Sequence, residues 1–488
     1  MGTEIYEIAV YGSTSGAVAS AIQAARLGRK TVLISPHEHI GGIQVEGLGS
    51  TDIDNQIEFK NSPSVGGLAL ELHRRLSKQY GRLERLEEVL QKGEKVPEVW
   101  KFESHILEQV ILSWLAEFPS LSVFKGSLRS DSSAVEKSGN TVTALRLTNG
   151  KTIRSKYFIE ASYEGDFFVA AGISTALGRE SSAQYDESLA GVRDDTRYTQ
   201  FEVPVDPYVV PGDPSSRLLY GISPEPFEGY ERSHYDLHRR YLKAGGKMYT
   251  PRIKGIPNRK TDLIGSEAVL CTDLLGMNDG WPTADAEDRQ KILDETATFT
   301  QGLIWFFANE KLSLPIFAAN GLDLATALTN SQTTTISLDS FTFAMHGEWC
   351  PTMLLQNTPL PSMMEKSTIY APSQLHTGLQ IHIAHVEWSE IVSHIMKASY
   401  SRTSTSGGPL VSLIGPCSSR VGYGAVRIEH QFYELGQACA NACDIALNDV
   451  GTQGSVQDVP YSVLRERLLD QEAVLDVSLV GKPDFSLL

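Results

Sequence analysis

Residues 5–35, "IYEIAVYGSTSGAVASAIQAARLGRKTVLIS", constrain the fold more than any other part of this chain. An apolar run ends at Gly12, and Val18, Ile22 and Ala25 follow at helical spacing. Gly28 supplies a stop, and "KTVLIS" is a second apolar run. Strand, tight turn, helix and strand within about thirty residues form a βαβ unit, whose parallel strands require a covered sheet. The turn has the outline of a dinucleotide-binding fingerprint, in which the first glycine turns sharply, the second admits a pyrophosphate and the third lets helix and strand pack. Gly12 meets the first need and Ala17 is small enough for the third, but Thr14 stands in the second place. Gly16 adds a flexible point, Ser13, Thr14 and Ser15 add hydroxyls, and the helix N-terminus offers free N–H groups to an anion.

The rest of this region extends the unit. A carboxylate is expected at the end of the second strand, where it would meet a ribose, and this chain has Ser35 there. Arg29 and Lys30 precede the same strand, which leaves a 2′-phosphate partner open. "HIGGIQVEGLGSTDIDN" gathers Gly41, Gly42, Gly47 and Gly49 into a polar loop, as a backbone lying against a flat ligand requires. "VTALRLTNGKTIRSKYFIEAS" reads as a hairpin turning at Asn149-Gly150, then a buried strand that ends before Gly165-Asp166.

Composition narrows the function. The 488 residues carry a net charge of −16 without basic blocks, which argues against nucleic acid or an anionic membrane as partner. No apolar run is long enough to span a bilayer, and the first residues lack a secretory pattern, so the cytoplasm is the expected compartment. The five cysteines form neither a disulfide framework nor a CxxC pair. Cys439 and Cys443, four apart on an expected helix, read as small buried apolar residues.

Several segments in order resemble the FAD-dependent oxidoreductases of the glutathione-reductase-like superfamily, in a branch whose members are sometimes labelled xanthan lyase. They are "VYGSTSGAVASAIQAARLGRKTVLISPHEHIGG", "GLGSTDIDN", "FESHILEQV", "YFIEASYEGDFFVAAGI", "LGRE", "KTDLIGSEAVLCTDLLGMNDGWPTADAEDRQ" and "SSRVGYGAVRIEHQFYELGQACANACDIAL". The resemblance implies an α/β fold: a Rossmann-like FAD/NAD(P)-binding domain with a central parallel sheet and β-meander, plus a smaller α+β substrate domain. Within that family a threonine at the second fingerprint position is ordinary. Gly12, Ser13, Thr14, Gly16 and Ala17 would then face the pyrophosphate of FAD, and Ser35 would take the ribose position. Gly41, Gly42 and Gly49 would lie along the flavin side, and Val123 near the adenine end. Gly165 and Asp166 would approach the ribityl phosphate, and Gly424 the pyrimidine edge of the ring. The implied organisation is an FAD domain from residues 1–180 and 408–488, a substrate domain at 181–310 and an atypical segment at 311–407.

The resemblance breaks in three places. The strand expected after "GISPEPFEGYE" is missing, and the paired asparagines expected after "KTD" are replaced around Ile264 and Gly265. Between Leu312 and Ser406 charged residues thin to roughly a tenth, and neither helical nor strand period persists. Shifted by one base, a back-translation of "LDSFTFAM" reads as a motif of the family, so this segment reads as a frameshifted or mis-spliced translation, with a divergent insertion as the alternative. Its histidines, His346, His376, His382, His385 and His394, lack the Asp or Cys companions of a metal site, and none is expected.

The flavin would carry the chemistry, so no base or nucleophile is named. Glu103 reads as a helix cap, His105 as a packed histidine, Arg179 equally as a group steadying the flavin or a substrate carboxylate and as an ion-pair partner, and Arg427 and Glu429 as residues ordering the late loop. The activity implied is hydride or electron transfer between a small organic substrate and bound FAD. A nicotinamide-dependent dehydrogenase and a non-catalytic remnant are the alternatives.

Overall fold

A computed structural model describes residues 5–47, 49, 51, 53–54, 60–139, 141–173, 181, 183, 229–245, 256–257, 280–309, 410–412, 428–448 and 456–475. The segment 311–407 therefore lies outside the described residues, as do Arg179, Gly424 and Arg427.

Among the described residues the sheet has seven strands. β1 (Ile5–Tyr11) pairs parallel with β2 (Thr31–Ser35), and β2 with the edge strand β3 (Leu121–Lys125). β4 (Val135–Ser138), β5 (Thr141–Arg146) and β6 (Thr152–Glu160) form an antiparallel meander, and β6 returns parallel to β1. β7 (Leu410–Ser412) lies parallel beside the last residues of β6, Phe158 to Glu160. The β5–β6 connection turns where Asn149-Gly150 stands, with Gly150 at φ +82°. β1 alternates across the sheet: Ile8 and Val10 enter one core, Ala9 and Tyr11 the other.

The first core is helical. It contains α1 (Ser15–Arg26), α2 (Gly67–Gln79), α3 (Leu83–Lys92) and α4 (Ser104–Leu115). The short α5 (Asp166–Ala170) covers the other face, where Phe167 packs edge-on against Tyr11 and Phe158. α6 (Asp236–Lys243) and α7 (Ala286–Asn309) follow, joined by aromatic packing: Tyr235 stacks on Tyr230 and Phe299, and its hydroxyl donates to Phe299 O at 2.9 Å. α8 (Glu429–Leu447) and α9 (Tyr461–Asp470) return to the first core.

α8 crosses α1 at small residues. A Cβ at Gly436 would stand 2.5 Å from Gly16 O and 2.8 Å from Ala19 Cβ, so only glycine permits this approach. Ser20 Oγ donates to Gly436 O at 3.2 Å across the same contact. Cys439 and Cys443 are buried on this helix, and burial pushes the Cys439 thiol up to about 12. They pack as small apolar residues, as the sequence indicates.

Candidate functional site

The turn after β1 is built around Gly12, Thr14 and Ala161. Gly12 sits at φ +138°, and a Cβ there would lie 2.1 Å from Ala161 O. The sharp first glycine is therefore demanded by the backbone just after β6 as well as by the turn. Thr14 caps α1: its Oγ1 accepts from Ala17 N at 3.1 Å and donates to Ala161 O at 2.7 Å. Both hydroxyl functions are engaged within the protein, so what Thr14 presents to a ligand is backbone. The N–H groups of Ser15 and Gly16 belong to the first helical turn, where the helix itself provides no acceptor, and no acid stands in that turn of α1.

The glycine-rich loop after β2 has a different reason for its glycines than a flat ligand alone. Cβ atoms at Gly41, Gly42 and Gly49 would meet Val45 Cγ1 at 2.5 Å, Tyr163 Oη at 2.3 Å and Phe102 O at 1.9 Å. Close protein packing already excludes side chains at all three. Gly41 N donates to Ser13 O at 2.7 Å, which fastens the loop to the β1 turn.

At the end of β2 the buried Ser35 donates its hydroxyl to His37 O at 2.7 Å, holding the next turn. Val123 lies on β3 opposite Leu33 and is 39 % exposed. Arg29 and Lys30 stand before β2, at the edge opposite Ser35. Arg29 is held there by Asp444 at 2.6 Å and Glu7 at 3.2 Å. A role for Arg29 in holding a 2′-phosphate beside Ser35 is excluded by this placement, since a five-residue strand spans about 16 Å.

A second cluster collects at the end of β6, where Tyr11 and Glu160 are register partners. Glu160 accepts from Ser162 N at 2.7 Å and from Ser162 Oγ at 2.5 Å, and its second oxygen is buried without a partner. Burial raises this carboxyl to about 8 against the Ser162 bonds. Gly165, at φ +69°, begins α5 and donates its N–H to Ser162 Oγ at 2.9 Å. Asp166 is gripped by Arg289 of α7 through two bonds of 2.6 and 2.7 Å. Glu164 approaches His37 Nε2 at 3.7 Å. Burial opposes a charged His37, but Glu164 outweighs it and lifts the imidazole to about 9. The reverse pull, chiefly from His37, lowers Glu164 to about 2 although burial works the other way.

The two clusters meet at Glu429, the first residue of α8. Its carboxylate accepts from Ser15 Oγ through Oε2 and from Tyr163 Oη through Oε1 at 2.8 Å, while Tyr163 Oη accepts from Ile43 N at 3.1 Å. Burial raises this carboxyl to about 7, over the opposing effect of the Ser15 and Tyr163 bonds.

Glu103 occupies the cap position of α4, but its side chain makes no capping bond. It accepts instead from Tyr80 Oη at 3.2 Å. His105 is exposed on α4, which corrects its reading as a core histidine: it lies on the solvent side of an amphipathic helix. Sequence reasoning missed Tyr163, Glu160, Glu164, His37 and Arg289. The one local signal was "SYEGD", a polar group following a buried strand. Among the described residues there is no cluster that could hold a metal ion.

A parallel sheet with a βαβ unit, a meander and a capped glycine turn at its carboxyl edge defines a Rossmann-like dinucleotide-binding protein. The chain belongs to the FAD dependent oxidoreductase family, whose profile matches residues 7–334, and its cofactor is FAD. No curated protein matches the sequence. Among solved structures it is similar to L-proline dehydrogenase from P. horikoshii, at 15% identity and TM-score 0.28, over 42% of this chain and 62% of that one. It is also similar to L-amino acid deaminase from Proteus vulgaris, at 12% identity and TM-score 0.27, over 44% and 56%. A third is GidA from Aquifex aeolicus, at 14% identity and TM-score 0.21, over 41% and 33%. The chain thus spans less than two thirds of each of these three proteins.

The residues present suit the dinucleotide. Two first-turn N–H groups and the hydroxyl of Ser13 offer donors to a pyrophosphate, with no acid from α1 itself opposing it, while the Ser15 hydroxyl is engaged by Glu429.

Proposed function

We propose that this protein is a flavoenzyme that moves hydride or electrons between a small organic substrate and bound FAD. The observation that carries the proposal is the Gly12–Ala17 turn. Its threonine hydroxyl is spent on Ala161 O and Ala17 N, which leaves the Ser15 and Gly16 N–H groups as donors at the sheet edge. Those N–H groups with Ser13 would hold the pyrophosphate. Ser35 and Val123 would lie toward the adenosine end, and Gly165 and Asp166 toward the ribityl chain. FAD supplies the redox chemistry, accepting or giving two electrons.

The protein's own part is to position and to hold protons. Arg289 fixes the Asp166 carboxylate in one orientation, and Glu160 keeps a proton at neutral pH because its site is dry. The same proposal includes a small-molecule partner, with neither nucleic acid nor membrane, and a cytoplasmic setting. Its supports are the net charge of −16 and, among the described residues, the absence of a helix long and apolar enough to cross a membrane.

The test is the absorbance spectrum of the purified protein, together with the mass of the small molecule released on denaturation. Oxidised-flavin bands and an FAD mass are expected. A colourless protein releasing a nicotinamide dinucleotide would replace this reading with a dehydrogenase. A folded protein that releases nothing and takes up no added FAD would mark a remnant.

A further inference from the structure

The N-terminus of α1 is already met by a carboxyl group, and that group is part of the chain. Ser15 Oγ and Tyr163 Oη both donate to Glu429, which is 5% exposed. Ser15 is the first residue of α1, so its hydroxyl stands beside the N–H groups that the FAD reading assigns to the pyrophosphate. A carboxylate and a pyrophosphate sharing one dry pocket repel strongly, because little solvent screens them.

We propose that Glu429 is a proton-linked counter-ligand of the phosphate site: its carboxylate takes up one proton, and releases the Ser15 hydroxyl, when the pyrophosphate of FAD binds at α1. The proposal rests on the FAD reading and adds a residue and a proton to it.

The exchange needs no movement of heavy atoms. In the ionised state Ser15 Oγ–H donates to Glu429 Oε2. A solvent proton on Oε2 reverses that bond, so that Oε2–H donates to Ser15 Oγ. The freed Ser15 hydroxyl then turns its hydrogen to a phosphate oxygen. Tyr163 Oη keeps donating to Oε1 and keeps accepting from Ile43 N throughout. One proton is taken from solvent, no covalent bond is broken, and the pocket's net charge stays that of the incoming phosphates.

The surroundings favour the protonated form. From the loop after β2 the charged group felt by Glu429 is another acid, Glu46, itself raised to about 7 by burial. From the loop after β6 comes Tyr163 and from α8 itself Tyr433, both phenols that burial pushes upward and keeps neutral. From α1 comes Ser15, which carries no charge. Glu429 titrates near about 7, so the exchange falls in an accessible pH range.

The test titrates FAD into the full-length apoprotein by quenching of flavin fluorescence, from about pH 6 to about pH 8.5. If one proton is taken up per FAD, Kd is flat below about pH 7 and rises about tenfold per pH unit above it. Glu429→Gln places an N–H donor where the protonated acid would have one. Its affinity is expected to match the parent near pH 6 and to exceed it by about tenfold or more near pH 8.5. Glu46→Gln is expected to keep the slope and move its onset.

Calorimetry of the unaltered protein in buffers of different ionisation heat gives the proton count without any variant: close to one proton taken up per FAD near pH 8, and close to none near pH 5.5. FAD binding that is independent of pH, or a slope that Glu429→Gln leaves in place, would overturn the proposal while leaving the cofactor reading intact. An apoprotein that binds no FAD at any pH would overturn both.

Discussion

The ends of β1 and β6 lie side by side, with Tyr11 opposite Glu160, yet they are finished in different chemistry. After β1 the chain uses a glycine, a threonine hydroxyl and backbone groups, all neutral. After β6 it gathers Glu160, Glu164 and Asp166, answered by His37 and Arg289 from elsewhere. The neutral end leaves the first-turn N–H groups of α1 without an acceptor in their own helix. The charged end makes a rigid rim by pairing some carboxylates and drying others until they hold protons. Glu429 stands where the two meet: it has hydroxyl partners like the first end and a raised carboxyl like the second.

The neutral end is the more fragile. Gly12→Ala adds a Cβ into Ala161 O at an unfavourable φ, so it should lower stability by about 3 kcal/mol or more and abolish FAD retention. Denaturant midpoints and flavin content measure both. A variant that stays yellow and stable would show that β6 can retreat from the turn. Thr14→Val keeps the shape but leaves Ala161 O and Ala17 N without a partner, for an expected loss of about 2 kcal/mol. Thr14→Ser should recover most of it. A stable valine variant would mean that the hydroxyl is incidental.

The charged end should respond less, and with pH. Asp166→Asn weakens a partly exposed ion pair, so about 1–2 kcal/mol is expected, with α7 loosened first in hydrogen exchange. Equal protection of α7 in both proteins would argue that aromatic packing alone docks it.

Glu160 and Glu434 are raised to about 8, and Glu46 and Glu429 to about 7, from an ordinary 4.5. Because the folded protein holds these protons more tightly, the stability they contribute is complete below about 4.5 and is lost as pH rises through about 7 to 8. His37 acts in the same direction: its share is complete below about 6.5 and is lost as pH rises through about 9. Glu164, held low, contributes fully above about 4.5 and loses its share only as pH falls toward about 2. The apoprotein should therefore weaken steadily from pH 5 to 9. Glu160→Gln should be stabler than the parent near pH 8.5 by about 1 kcal/mol and equal to it near pH 5. A parent whose denaturant midpoint does not change with pH would contradict the dryness of this rim.

The smallest effect belongs to Ser35→Ala, about 0.5–1 kcal/mol from one hydroxyl bond to His37 O. A larger drop in FAD affinity than in stability would show that Ser35 also reaches the ribose.

What the sequence by itself determined is local and periodic: the βαβ unit, the hairpin at Asn149-Gly150, the glycine turn and the buried cysteine pair on α8. Strand and helix periods, and the need for glycine at a sharp turn, act over a few residues and are written in order along the chain. Only the tertiary structure decided why Gly41, Gly42 and Gly49 must lack side chains, since the excluding atoms belong to Val45, Tyr163 and Phe102. It alone paired Arg29 with Asp444 and Asp166 with Arg289, 123 residues away. It also brought Glu429 to Ser15 across 414 residues. A charge's partner and a carboxyl's proton depend on distance and on exclusion of water, and those arise only when remote segments pack together.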